Sequence, residues 1–317
     1  MKLQTTIPLT PAKVLIDYNS EVLLLGSCFT EHIGDKLEYF KFANFTNPFG
    51  IIFHPKALER LIERAALDRP FSEKDIFEWN GRWHCLEVHS LVSATEQSAC
   101  LDLLNNSLAG LQEYLSTASH IIITFGTAWG YRYKPSGAIV ANCHKIPQNE
   151  FAKEISSVED VVEITNRITE LVTLQNKKAQ LIFTVSPVRH LKDGFVENTR
   201  SKAHLLAGIH RSIELNPANH YFPSYELMMD ELRDYRFYTE DMLHPNKTAV
   251  EIIWHRFSEV WIDSATASIQ KEIASIRSDM AHRPFDPESE SHKEFQKKLQ
   301  EKIQELQRKL PHLNFKL

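Results

Sequence analysis

Two short stretches, more than two hundred residues apart, hold residue types that could do chemistry together. One is Gly26-Ser27-Cys28-Phe29, at the end of an apolar run; the other is Asp241-Met242-Leu243-His244. Ester hydrolysis by a serine needs a base for its proton, an acid to orient the base, and donors for the oxyanion. In a loop, the spacing of Asp241 and His244 lets the carboxylate reach the ring Nδ1–H and leaves Nε2 free to face Ser27. Each residue also has a plainer use. Ser27 would cap a helix, Asp241 would cap a turn, and His244 would be packed or solvated.

The elements around these stretches decide between the two uses. Glu21 to Leu25 reads as a buried strand, Gly26 as a sharp turn, and Ile33, Leu37, Phe40 and Phe42 as the apolar residues of a following helix. Ser27 then sits where helix N–H groups are unpaired and the dipole favours negative charge, while Cys28 is expected to face into the helix turn. Two more apolar runs, His120 to Phe125 and Gln180 to Val185, end in Gly126-Thr127 and Ser186-Pro187. Helical patterns over Pro55 to Leu67, Leu101 to Leu115, Val161 to Leu174 and Asn198 to Ile213 alternate with them, and Tyr221 to Met228 offers a further strand. Continuous apolar strands alternating with helices imply a parallel sheet covered on both faces. Sites in such sheets form beyond the carboxyl ends of the strands, where Ser27, Thr127 and Ser186 would meet.

Two hairpins interrupt the alternation. Asn80-Gly81 joins Ile76 to Trp79 with Arg82 to Leu86, and Pro135-Ser136-Gly137 joins Tyr131 to Tyr133 with Ile139 to Ala141. Their aromatic residues, Trp79, Trp83, Trp129 and Tyr131, would pack within the hairpins or overhang a site. Asn44 to Gly50 reads as a turn-rich loop whose amides project. Lys247 to Ile262 is a helix with Val250, Ile253, Trp254 and Phe257 inward. Beyond Asp263 the composition turns charge-rich, dividing the chain into a domain of residues 1–262 and a helical extension of residues 263–317. There Phe295, Leu299, Ile303, Leu306 and Leu310 form a stripe that would pack back on the body or pair a homodimer.

Net charge is −5, from 36 Lys+Arg against 41 Asp+Glu, and no long basic run occurs, so no nucleic-acid partner is expected. Met1 to Ser20 has no basic start before an apolar core, and no stretch approaches a membrane span. A cytoplasmic protein without a membrane partner is the expectation. The four cysteines have neither disulfide-framework nor zinc-motif spacing. Cys28, His32, Cys143 and His144 are of types that suit zinc, but no spacing requires it; neither metal nor cofactor is expected.

The combination of Gly26-Ser27 after the first strand with a late Asp241-Met242-Leu243-His244 resembles the SGNH (GDSL-like) hydrolases. More closely, Gly26-Ser27-Cys28-Phe29, Asn47-Pro48-Phe49-Gly50, Asn142-Cys143-His144-Lys145, Ser186-Pro187-Val188-Arg189 and Asp241 to Asn246 resemble the GSCFA family, over roughly Val14 to Pro287. That resemblance implies a flavodoxin-like α/β/α sandwich with Ser27 as nucleophile, His244 as base and Asp241 as its orienter. It implies the Ser27 and Gly50 amides as oxyanion donors. Where Gly-x-Asn-Asp is the wider pattern, this chain reads Gly126-Thr127-Ala128-Trp129. A third donor must therefore come from elsewhere: Thr127, Asn142 or Asn47. His144 and Lys145 would contact substrate at a pocket rim, or else belong to a loop closing a hairpin over a buried Cys143. The implied activity is a serine esterase, with a small-molecule or carbohydrate acyl ester as substrate. An O-acyltransferase or a catalytically silent binding protein on the same fold is the alternative.

Overall fold

The computed structural model describes residues 5–287, 289–311, 313 and 315; the first four residues of the expected domain and the remaining positions of the expected extension lie outside them. The chain opens with β1 (Glu21–Gly26), α1 (Cys28–Tyr39), β2 (Ala43–Thr46) and α2 (Pro55–Ala66). The hairpin β3 (Phe77–Trp79) and β4 (Arg82–His84) follows, then α3 (Gln97–Thr117) and β5 (His120–Phe125). Next come β6 (Trp129–Tyr133), β7 (Ala138–Val140), β8 (Phe151–Ile155), α4 (Val158–Gln175), β9 (Gln180–Val185), α5 (Phe195–Leu215) and β10 (His220–Tyr221). The short α6 (Ser224–Glu226) runs into a π-helical turn at Leu227–Glu231. The chain then continues through α7 (Lys247–Trp261), α8 (Ala267–Ala281) and α9 (Glu290–Lys309).

Five of these strands form one parallel sheet in the order β10-β9-β5-β1-β2. Counting only those five in chain order, this is the flavodoxin-like arrangement 2-1-3-4-5. The order reverses between β1 and β5, which opens a crevice at their carboxyl ends. Alternate strand residues feed the two faces. Leu23, Leu25, Ile121, Ile123 and Phe125 pack under α2, α3, α4 and α5. Val22, Leu24, Ile122 and Ile182 pack under α1, α7 and the C-terminal helices. Both faces are therefore dry, and that explains why the strands read as unbroken apolar runs rather than as alternating ones.

The Asn80-Gly81 hairpin forms as the sequence predicts, with both residues in the left-handed region (φ 51 and 72) and Phe77 paired to His84. The second excursion is larger than expected, because β8 adds a third strand to give the order β7-β6-β8. Two assignments change. Residues 43–46 form an edge strand, not loop. The expected strand over Tyr221 to Met228 shrinks to His220–Tyr221, and Phe222 turns the chain by pairing with Phe183 O before the helical turns begin. The stripe on α9 packs back. Leu299, Ile303 and Leu306 are buried in the same apolar cluster as Ile273 and Ile276 of α8 and as Phe29, Ile33 and Leu37 of α1. Among the described residues, no helix is long and apolar enough to cross a membrane.

Candidate active site

The end of β1 is built around one glycine. Gly26 has φ 139, and a Cβ there would lie 2.2 Å from Thr124 O, so no side chain fits. Its N–H donates to Asn47 Oδ1 (2.8 Å) and its carbonyl accepts from Ile52 N (2.9 Å), which ties the loop of residues 47–52 to the turn. Ser27 is the N-cap residue of α1, but its hydroxyl makes no cap hydrogen bond. The residue has no exposed surface, and Oγ has no hydrogen-bond partner. The expected relay contact between Ser27 Oγ and His244 Nε2 is thus not made in this conformation.

Cys28 departs from the expectation that it is turned inward. It is only partly buried, and its sulfur meets its own N–H and that of Phe29, with Lys202 and Glu31 as charged neighbours. Burial pushes the thiol above its ordinary range; the Lys202 charge and the two amides pull it back part of the way.

Both amides expected to hold an oxyanion are engaged. The Ser27 N–H donates to Thr124 O (3.2 Å), and the Gly50 N–H donates to Asn47 O (2.8 Å). Gly50 itself is required by its φ of 73 and by His89, whose Cβ would lie 2.5 Å from a Cβ at that position. Of the three residues weighed as a further donor, Thr127 shares its hydroxyl with Ser201 Oγ (2.9 Å) and accepts from Trp129 N (3.1 Å). Asn142 closes an Asx turn on His144 N (2.8 Å). Of the three, Asn47 is the one whose unpaired donor is buried. Its Oδ1 is held by Gly26, while its Nδ2 is buried with no partner. An unpaired buried donor costs about 1–3 kcal/mol, which is recovered when a ligand oxygen accepts from it.

His144 is buried against the hairpin. Its Nε2 lies 2.7 Å from Cys85 O, its ring meets Phe77 and His84, and its Nδ1 has no partner. None of these partners belongs to the loop that carries His244. Burial lowers the imidazole to about 4, so it is neutral. Cys143 beside it is half-buried, with its thiol raised to about 11 by desolvation. Among the described residues, no group of His, Cys, Asp or Glu is arranged to hold a metal.

The floor of the crevice contains a residue that the sequence reading passed over. Lys202 of α5 is 1 % exposed, and its Nζ donates to Gly126 O (2.6 Å) and Ser186 O (2.7 Å), joining the ends of β5 and β9. Burial lowers its ammonium to about 7. The signal was its place in the periodicity: Asn198, Ser201, Lys202, Leu205 and Ile209 form the buried stripe of α5. His190 stands nearby, its ring edge against Phe53 and its Nε2 buried without a partner. Burial lowers it to about 3, helped by the charges of Lys202 and His244.

The dyad sits on the loop before α7. His244 Nδ1 donates to Asp241 Oδ2 (2.6 Å), and the two side chains are 43 % and 45 % exposed. Asp241 Oδ1 accepts from Thr239 Oγ1 (2.7 Å), Leu243 N (2.8 Å) and His244 N (3.0 Å), and Thr239 N donates to His244 O (2.8 Å). The Thr239 hydroxyl and the two backbone amides hold the Asp241 carboxyl far below the usual carboxylate range, with the imidazole adding to them. His244 Nε2 has no hydrogen-bond partner among the described residues. Asn246 caps α7 through Ala249 N and binds Arg236 O and Tyr238 O, so the helix start and the dyad loop are one unit. Arg189 Nη1 donates to Tyr238 OH (3.0 Å), which joins this loop to the segment after β9. His32, one turn beyond Cys28 on α1, feels the His244 charge.

A hollow of about 390 Å³ lies away from these residues between α2, α4 and the three-stranded sheet. Its charges largely satisfy one another: Lys56 pairs with Glu59, and Arg132 with Glu154.

Fold and site together describe a parallel α/β protein with a carboxylate–imidazole dyad on the loop that leads into α7. The chain belongs to the GSCFA family, which residues 21–257 match, and residues 273–317 match the C-terminal domain of GSCFA domain proteins. No curated protein matches the chain.

Proposed function

We propose that this chain cleaves or transfers an acyl ester at the crevice between β1 and β5, with His244 as general base and Asp241 as its orienter. One observation carries the reading: a carboxylate oxygen 2.6 Å from Nδ1, with Nε2 left unpaired. The carboxylate fixes the tautomer in which Nε2 accepts a proton and stabilises the imidazolium that results. The nucleophile comes from the start of α1, where the helix directs its first amides and its dipole at developing negative charge. Asn47 Nδ2 supplies an oxyanion donor in place of the asparagine missing after Gly126. The resemblance of the Gly26-Ser27 turn and the late Asp-x-x-His to SGNH hydrolases supports the same chemistry. Carbohydrate O-acyl groups are the substrate class we favour, by that analogy.

The test is turnover of p-nitrophenyl acetate and of acetylated sugars by the full chain and by His244→Ala. The variant is expected to lose about 10²–10⁴-fold in kcat/KM. An unchanged rate would remove the base from the reaction and the reading with it.

A further inference from the structure

The turn that opens α1 offers two side chains able to attack a carbonyl carbon, and the structure treats them differently. Ser27 has no exposed surface, and its Oγ touches neither a base nor any other hydrogen-bonding atom. In this conformation that oxygen is closed off from a substrate carbonyl. Cys28 is partly exposed at the first position of the helix, and its sulfur meets the N–H groups of Cys28 and Phe29. Lys202 lies in its field from below, fully buried and fixed by two carbonyls. His32, one turn along α1 from Cys28, lies in the field of His244, which brings the charge of the dyad to that helix. Two further polar atoms are buried without partners: Asn47 Nδ2, whose amide oxygen holds Gly26 N, and His190 Nε2, whose ring lies in the field of Lys202 and His244.

We propose that Cys28 Sγ, not Ser27 Oγ, is the atom that attacks the acyl carbon. The proposal rests on the acyl-transfer reading of this crevice. Cys28 gives its proton to His244 Nε2 as Sγ bonds to the ester carbon, and the carbonyl electron pair moves onto oxygen. The tetrahedral intermediate collapses by breaking the C–O bond to the alcohol, which leaves with the proton from His244. A water, deprotonated by His244, attacks the thioester; the C–S bond breaks, the carboxylic acid is released and the thiol is restored. Burial keeps the resting thiol protonated, so the base is needed in each half of the cycle.

The experiment is acid-quenched labelling of the full chain with p-nitrophenyl acetate, read by peptide mass, in wild type, Cys28→Ala and Ser27→Ala, with steady-state turnover alongside. The acetyl group is expected on Cys28, removed by neutral hydroxylamine as thioesters are, absent from Cys28→Ala and present in Ser27→Ala. Turnover is expected to fall at least ~10³-fold in Cys28→Ala and to persist in Ser27→Ala, which removes only an unpaired buried hydroxyl. If deacylation outruns trapping, the turnover ratio of the two variants decides. A hydroxylamine-resistant acetyl on Ser27, kept in Cys28→Ala, would overturn the assignment and leave the acyl-transfer reading standing. No adduct on either residue, together with turnover indifferent to both substitutions and to His244→Ala, would overturn both.

Discussion

The two halves of the site are held by opposite means. Gly26 and Lys202 are buried at the carboxyl ends of β1, β5 and β9, and they and the partly buried Asn47 are hydrogen-bonded to groups of other elements. Asp241 and His244 are nearly half-exposed and bonded mainly to each other and to their own loop. Charge is handled accordingly. Desolvation lowers the Lys202 ammonium to about 7, disfavouring its charged form, whereas hydrogen bonds stabilise the charged form of Asp241 in contact with water. The proposed place of attack is therefore fixed by the same packing that makes the sheet. The proposed base, His244, rides on a loop with its own internal scaffold, anchored to the core by the Asn246 cap and the Arg189–Tyr238 bond.

If that contrast holds, substitutions in the two halves must differ in what they damage. Gly26→Ala is the largest case. Its Cβ would overlap Thr124 O at 2.2 Å, the conformation at φ 139 is closed to side chains, and the neighbour is a central strand that cannot yield. We expect a loss of about 4 kcal/mol or more in urea unfolding, or no soluble protein. A soluble variant with a wild-type midpoint would show that the turn is not rigid.

Acid should expose the same asymmetry. His54, His144 and His190 are neutral in the fold, lowered to about 4, 4 and 3, each mainly by burial. His54 uses both nitrogens in that state, accepting from Lys56 N and lying 3.2 Å from Ala128 O. Because the folded values lie below the ordinary one near 6.5, the unfolded chain takes up more protons as the pH falls. Stability is therefore full above about 6.5 and declines as the pH drops towards 4, by about 3 kcal/mol for His54 alone. Urea midpoints measured from pH 7 to pH 4 should fall steadily, with a smaller fall in His54→Asn. A flat profile would contradict the neutral, buried assignment.

How much of this was legible beforehand follows the same division. Unbroken apolar runs gave away β1, β5 and β9, and the helical stripes gave the layers, because both depend on local periodicity. The edge strand over residues 43–46 was missed because its residues are only half-buried and Asn44 and Asn47 read as turn formers. Strand β8 was missed because Ala152 and Lys153 face solvent on the small sheet, leaving no apolar pattern. At the site, the pairing of Asp241 with His244 could be seen from spacing, since both partners lie within one turn. The depth of Ser27 and the exposure of Cys28 could not, because adjacent residues at a strand–helix junction exchange roles with a rotation that only the packed neighbours set. Lys202 was hidden for a related reason. A lysine in an apolar stripe is read as an interruption until the two carbonyls that hold it are known.

The smallest effect on stability is expected where the effect on chemistry is large. Asp241→Asn retains an oxygen for Thr239 Oγ1, Leu243 N and His244 N, so the loop keeps its scaffold and the urea midpoint should stay at the wild-type value. The amide nitrogen, however, now faces His244 Nδ1 and donates to it. The proton then moves to Nε2, which can no longer accept one from the nucleophile. Turnover of p-nitrophenyl acetate should drop about 10²–10⁴-fold with the fold intact. A matched loss of stability and activity would instead make Asp241 a structural residue of the loop, and the separation between a packed floor and an independent base would fail.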